Sequence, residues 1–289
     1  MCRNHVWTRL AGKLERATWL DPVTHAASGV VNTVLPKSGV KDALHGRWLG
    51  HPLHPLLVAV PIGMWSGALL LDLTDAAGAR TAARRLVGAG VLVVAPTAAT
   101  GLADWSELGA FERPKRVGLV HALANITTTA LYGASWLARR RGDHSLGRKL
   151  SLMGTGGLVV GGYLGGHLAY SQGVGVNRNA DKPPEPREWT DAADVSEVEE
   201  GRLHRVDVQD QPVVLVRQGD RVQAIGATCS HYGAPLEEGM VQDGCLVCPW
   251  HASRFRLEDG SVARGPATVA QPSYRVRTAG SRLEVQARL

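Results

Sequence analysis

Two cysteines and two histidines near the C-terminus are spaced for metal chemistry: Cys229-Ser230-His231, sixteen intervening residues, then Cys248-Pro249-Trp250-His251. A C-x-H pair and a C-x-x-H pair on separate turns can converge on one centre. Thiolates neutralise ferric charge and bind iron that also carries bridging sulfide, while neutral imidazoles on a second iron reduce the net negative charge and raise the potential. A tetrahedral zinc site drawn from Cys229, Cys245, Cys248 and one histidine is the other chemistry open to this set. The zinc reading leaves the paired histidine spacing unused. The diiron reading leaves over only Cys245, which it treats as a small buried strand residue. The fourth cysteine is Cys2, and the clustering of the other three beside histidines argues for metal rather than a disulfide framework.

At these residues the chain resembles the Rieske [2Fe-2S] family. The resemblance covers about the last hundred residues and includes Gly233, the run Cys248-Pro249-Trp250-His251-Ala252-Ser253-Arg254-Phe255, Asp259-Gly260 and Gly265-Pro266. It implies that Cys229 and Cys248 bind the buried iron and that His231 and His251 bind the outer one, with electron uptake open to coupling with protons. Rieske proteins of quinol-oxidising complexes resemble a pattern with one extra cysteine in each loop. Here those places hold Ala234 and Trp250, and Phe255 stands near where a tyrosine donor often sits, with Ser253 left as a donor. By this resemblance the domain belongs with the lower-potential ferredoxins associated with oxygenases.

The segments around the motif read as strands. Pro212 to Arg217, a Gln-Gly-Asp turn, Arg221 to Ile225, Cys245 to Cys248, Arg254 to Leu257, Tyr274 to Thr278 and Arg282 to Gln286 predict a small antiparallel β domain. Ahead of it, a connector through Lys182, Pro183, Pro184 and Pro186 and an acidic stretch from Asp191 to Glu200 read as a linker.

The first half is composed for a different solvent. Four stretches lack Lys, Arg, Asp and Glu: Pro55 to Leu71, ending at Asp72 and Asp75; Leu86 to Ala103, ending at Asp104 and Trp105; Val117 to Ala138; and Leu150 to Tyr170. Each approaches the roughly 20 residues that cross about 30 Å of hydrocarbon, which predicts four transmembrane helices. Gly157, Gly161 and Gly165 recur at every fourth position of the last stretch, a small-residue ridge suited to close helix approach. The net charge of +6 and pI near 9.4 come largely from basic residues flanking these stretches, which argues for membrane topology and against nucleic acid as a partner. Arg3, Arg9, Lys13 and Arg16 interleaved with Trp7, Leu10, Leu14 and Trp19 fit an amphipathic interfacial helix or an ordinary surface helix. No removable signal peptide is evident, so an internal span would start insertion.

The expected organisation is therefore an N-terminal segment over residues 1–47, an all-α transmembrane four-helix bundle over 48–170, a linker over 171–190 and an all-β Rieske domain over 191–289. The stretch His51-Pro52-Leu53-His54-Pro55, with Gly101 to Trp105 and His121 to Asn125, resembles a bacterial family of four-helix membrane proteins. Threading an up-down bundle puts His54, Asp104, His121 and His167 at one depth on the face the β domain leaves from. Asn125 lies one turn from His121 and Tyr163 one turn from His167. Intramembrane ionisable residues are usually functional, so these four are candidates for a haem, metal or quinone site; interfacial residues that snorkel or cap helices are the alternative.

Together these features predict a membrane-anchored carrier of one electron at a time between redox partner proteins, held in the lipid bilayer of a bacterial cytoplasmic membrane. The shorter, more basic loops, which carry Arg80, Arg84, Arg85 and Arg139 to Lys149, lean the β domain to the outside. No residue is assigned to catalysis of bond chemistry, and no mononuclear-iron triad accompanies the motif. A haem- or quinone-linked subunit of a membrane oxidoreductase and a non-redox zinc module are the alternatives.

Overall fold

The computed structural model describes residues 6–74, 76–181 and 185–288. Cys2, Arg3, Asp75, Lys182, Pro183 and Pro184, named above, lie outside them. The chain forms two compact units, both discontinuous: residues 1–36 with 53–174, and residues 37–52 with 175–289.

The first unit is helical: α1 (Val6–Glu15), α2 (Asp21–Val34), α4 (His54–Asp72), α5 (Ala79–Ser106), α6 (Glu112–Arg140) and α7 (His144–Gly166), the last closed by a π-helical turn over His167–Ser171. The short helix α3 (Gly39–His45) belongs to the second unit. Helix α4 packs on α5, α6 on α7, α5 on α6 and α4 on α7, while α1 and α2 lie against α6 and α2 also against α5. The four long helices thus occur where the apolar stretches predict them, but shorter helices accompany them. Two of the described helices, α4 and α5, are long and apolar enough to cross a membrane, rather than four. The reason is visible in the other two. Helix α6 carries Asn125, Thr127, Thr128, Thr129, Tyr132 and Ser135, and α7 is diluted by glycine, Ser151 and Thr155.

Glycine sets how closely α6 and α7 pack. A Cβ at Gly157 would lie 2.1 Å from Thr128 Oγ1, one at Gly161 would lie 2.8 Å from Asn125 Oδ1, and one at Gly165 would lie 3.2 Å from His121 Cε1. The ridge read from the sequence therefore faces α6. Near the other end of these helices, Arg139 is buried and forks onto Asp72, Nη1 donating to Oδ1 at 2.8 Å and Nη2 to Oδ2 at 2.5 Å. Its Nε donates to Ser135 Oγ at 3.1 Å, so the buried guanidinium is paired and hydrogen-bonded as burial of a charge demands.

The second unit is β-rich. Strands β1 (Thr190–Asp194), β2 (Leu203–Val208), β3 (Gln211–Gln218), β4 (Arg221–Gly226), β9 (Ser273–Ala279) and β10 (Arg282–Ala287) form one antiparallel sheet in the order β1-β10-β9-β4-β3-β2. Strands β5 (Met240–Gln242), β6 (Cys245–Val247), β7 (Arg254–Arg256) and β8 (Val262–Arg264) form a second sheet in sequence order. The six strands read from the sequence are all present. Of the others, β1 is acidic and carries two alanines with a single β-branched residue, and the three-residue β5 and β8 lack an alternation long enough to read.

Strand β3 shows why the sheet has two cores. Successive side chains point to opposite faces, so Val213 and Leu215 pack with Ala224, Leu283 and Val285, whereas Val214 and Val216 pack with Ile225, Leu236, Leu246 and Phe255. The second of these cores also contains Cys229 and Cys248. The two candidate sulfur ligands are therefore anchored in the packed interior.

Candidate metal centre

Two loops carry the four residues. Cys229 and His231 follow β4, and Cys248 and His251 lie between β6 and β7. The loops repeat one backbone design. The N–H of Cys229 donates to the carbonyl five residues on, Ala234, at 2.9 Å, and its own carbonyl accepts from the N–H four residues on, Gly233, at 2.8 Å. Cys248 does the same with Ser253 at 2.8 Å and Ala252 at 3.0 Å. In both loops the fourth residue after the cysteine takes the left-handed conformation, Gly233 at φ 77° and Ala252 at φ 59°.

This turn aims backbone dipoles inward. The N–H groups of His231 and Tyr232 hydrogen-bond Cys229, and those of Trp250 and His251 hydrogen-bond Cys248. The two thiols also bond to each other. That bond, together with burial, pushes Cys229 well above the usual thiol range; the same bond and the backbone N–H groups pull Cys248 down to about 6 against the opposing effect of burial. A low-pKa thiolate ringed by N–H donors is the form a ferric ion takes up.

The imidazoles stand beside each other, with ring centroids 5.0 Å apart and planes at 86°. Burial, then the neighbouring His251, lowers the pKa of His231 well below its ordinary value, so it is held neutral as a metal ligand must be. Its Nδ1 is buried and has no hydrogen-bond partner among the described residues. An orphaned ring nitrogen in a buried pocket is costly unless something else occupies its lone pair. The donor set thus presents two adjacent sulfurs and two adjacent rings, and it fits a centre with sulfur ligands on one metal and nitrogen ligands on the other.

The arrangement suits zinc less well. Among the described residues no three His, Cys, Asp or Glu side chains converge as a single ion would require. Cys245 is buried in β6, in register with Gln242 and Arg256. Ala234 is buried, and its carbonyl serves the first loop, while Trp250 is half exposed. Ser253 Oγ accepts the N–H of Ala267 at 3.0 Å, which ties the second loop to the chain after β8.

The helical candidates have local partners. His54 Nδ1 lies 3.0 Å from the Thr97 carbonyl and 3.2 Å from Thr100 Oγ1 on α5. His121 Nδ1 lies 2.9 Å from the Gly161 carbonyl on α7, and Asn125 Nδ2 is 3.2 Å from His121 Nε2. His167 Nε2 pairs with Glu15 Oε1 of α1 at 2.7 Å. Asp104 sits near the end of α5, its carbonyl accepting from Glu107 N–H at 3.2 Å. Hydrogen bonds thus direct the three histidines to three different elements.

Residues bordering the second loop carry no signal in the sequence. Lys37 Nζ donates to the His251 carbonyl at 2.7 Å, and Asp42 Oδ1 accepts the Gly265 N–H at 3.0 Å. They come from a segment more than two hundred residues away, and no spacing rule reaches that far.

A β-rich unit in which two equivalent loops pair two cysteines and set two histidine rings side by side has the make-up of the Rieske iron–sulfur domains. The chain belongs to that family: residues 188–275 match the Rieske [2Fe-2S] domain, and residues 50–178 match a second family described as Predicted membrane protein (DUF2231). The 3-phenylpropionate/cinnamic acid dioxygenase ferredoxin subunit of Shigella boydii is 38% identical over 92 residues, which are 31% of this chain and 85% of that protein. Apoptosis-inducing factor 3 of Homo sapiens is 30% identical over 106 residues, 36% of this chain but only 18% of the relative's length. Among solved structures, the ferredoxin of carbazole 1,9a-dioxygenase from Nocardioides aromaticivorans IC177 shares 28% identity over 35% of this chain and 98% of its own, with a TM-score of 0.33. The family carries a [2Fe-2S] cluster and transfers electrons.

Proposed function

We propose that this protein is a membrane-anchored one-electron carrier. Cys229 and Cys248 would hold one iron of the [2Fe-2S] cluster, and His231 and His251 would hold the other; bound there, the cluster supplies a single reversible redox couple. What supports this reading is a pair of mutually bonded, N–H-ringed sulfurs carried on the same two loops as two adjacent imidazoles, one of them with a buried, unpartnered nitrogen. The chain's own residues exclude water from the sulfur side through the core of Phe255, Leu246 and Leu236, and they orient both rings.

The helical unit is the anchor in this reading. Helices α4 and α5 cross the bilayer, and α6 and α7 complete a four-helix transmembrane domain through the glycine-faced contact described above. The partner is a protein that accepts or donates one electron. The resemblance to a dioxygenase ferredoxin subunit supports a terminal oxygenase as acceptor, and no bond chemistry falls to this chain.

Iron and acid-labile sulfide analysis of purified full-length protein, with electron paramagnetic resonance after dithionite reduction, tests the reading. Two irons and two sulfides per chain are expected, together with the signal of a histidine-ligated cluster that disappears in Cys248→Ala and His231→Ala. Zinc without sulfide would overturn it.

A haem- or quinone-linked role for the helical unit is the second reading. It is favoured by one observation: the Nδ1–H of His54 is taken by the backbone carbonyl of Thr97, the arrangement that orients metal-ligating imidazoles; His121 holds its Nδ1–H on Gly161 likewise, with its Nε2 facing the Asn125 amide. Haem absorbance in the purified protein that is lost in His54→Ala and His121→Ala is the expected outcome of this reading; absence of haem and quinone from active preparations excludes it.

A further inference from the structure

Residues 37–52 lie far from the cluster loops in sequence, yet they form one compact unit with them. Helix α3 within this segment is capped by Ser38, whose side chain accepts the Lys41 N–H at 3.4 Å, and is stopped by Gly46 in the left-handed conformation. Around it, four side chains stitch the segment to the second cluster loop and the strand beyond. Lys37 Nζ donates to the carbonyl of His251 at 2.7 Å, and Arg264 Nη2 donates to the Lys37 carbonyl at 2.5 Å. Asp42 Oδ1 accepts from Gly265 N–H at 3.0 Å. Arg47 Nη1 donates to the carbonyls of Val262 and Ala263 at 3.3 and 3.0 Å, and its Nε lies 3.7 Å from Asp42 Oδ2.

These contacts reach the cluster site by two routes. One ends directly on His251. The other passes through Gly265 to Ala267, whose N–H is held by Ser253 Oγ in the same loop. A side chain on Gly265 would also crowd the segment, since its Cβ would lie 3.0 Å from Asp42 Oδ1 and 3.5 Å from His45 Cδ2.

The segment brings fixed charge as well as contact. Electron uptake adds one negative charge to the centre, and in a water-poor site a nearby cation stabilises the reduced form while an anion destabilises it. Lys37 places a cationic Nζ 2.7 Å from the backbone carbonyl of His251. Other charged and titratable groups lie nearby: the Arg178 guanidinium sits 5.5 Å from the centre of the Tyr232 ring, and His45 belongs to the same segment as Lys37 and Asp42.

We propose that residues 37–52 are a built-in wall of the cluster site, and that Lys37 and Asp42 act on it as positioning residues of opposite charge that set its reduction potential. This wall lies outside the stretch that matches the Rieske family, residues 188–275. The inference rests on the cluster-binding reading above.

The test is a dithionite titration of the full-length protein followed by electron paramagnetic resonance, with iron and sulfide counted in each variant. Lys37→Gln is expected to shift the one-electron equilibrium about tenfold toward the oxidised form, ~59 mV lower, with iron content unchanged. Lys37→Arg should restore the wild-type value. Asp42→Asn keeps an oxygen for the Gly265 N–H and removes the charge, so its potential is expected to rise. Arg202→Gln, exposed and paired with Glu199, is the control that leaves the potential in place. Wild-type potentials in both Lys37→Gln and Asp42→Asn, with full iron, would overturn the proposal. If Lys37→Gln loses iron, Asp42→Asn decides alone: a rise supports the proposal and no change overturns it. A wild-type protein with no cluster signal would instead sink the electron-carrier reading itself.

Discussion

Gly233 and Ala252 occupy equivalent places in the two cluster loops: each donates its N–H to the carbonyl of the cysteine four residues before it, and each does so at positive φ, 77° and 59°. The equivalence matters because the same backbone turn then points the next two N–H groups after Ser230 and Pro249 at each sulfur. One loop uses glycine for the strained position and the other tolerates alanine. Left-handed conformation costs an L-residue about 1–2 kcal/mol.

That difference is measurable. A Cβ at Gly233 would meet nothing closer than Arg178 Cγ at 3.8 Å, so Gly233→Ala is a conformational penalty with little steric component. Its expected cost is about 1–2 kcal/mol in denaturant unfolding, whereas Ala252→Gly should be neutral or gain up to about 1 kcal/mol, the relief of strain being partly offset by the freer unfolded chain.

In the helical unit, Arg139 and Asp72 are each nearly inaccessible and satisfy one another through a two-pronged contact. Removing one leaves a buried charge without its partner, so Arg139→Ala should cost about 3–5 kcal/mol. The double change Arg139→Met with Asp72→Leu should recover most of that loss. Thermal unfolding in detergent, followed by helical circular dichroism, compares the three proteins.

Glycines on α7 separate cleanly by face. Gly156 has nothing within 4 Å of an added Cβ, while at Gly157 the Cβ would sit 2.1 Å from Thr128 Oγ1. Gly156→Ala is expected to stabilise the helix by up to about 1 kcal/mol through propensity. Gly157→Ala should instead cost about 1–3 kcal/mol from overpacking against α6. Equal effects at the two positions would refute the assigned face.

Tyr274 in β9 supplies a pH dependence. Burial pushes its phenol from 10.0 up to about 12. The fold holds the proton more tightly than the unfolded chain, so its contribution is fully present below pH 10 and falls as pH rises from 10 to about 12. The loss over that window is about 3 kcal/mol. Tyr274→Phe should remove this alkaline decline, which denaturant midpoints at pH 9 and above would show.

Much of this protein was legible without coordinates because the decisive signals are local. Cysteine and histidine two and three positions apart name the metal chemistry, since ligand type and loop spacing both lie within a few residues. Strand patterns over 212–217, 221–225, 274–278 and 282–286 mark four strands of the larger sheet, and the glycine period at 157, 161 and 165 marks a face open to close helix approach, which the structure fills with α6. What only the tertiary structure decided involves partners remote in sequence. The bond from Lys37 to the His251 carbonyl, the fork of Arg139 on Asp72 and the pairing of His167 with Glu15 join residues 214, 67 and 152 positions apart. Such contacts carry no periodicity, because they depend on where the chain returns in space and not on the pattern along it. Freedom from charge marks four stretches, but only folding shows that α6 spends its polar residues on α7, as Tyr132 does with Thr155 and Ser135 with Ser151.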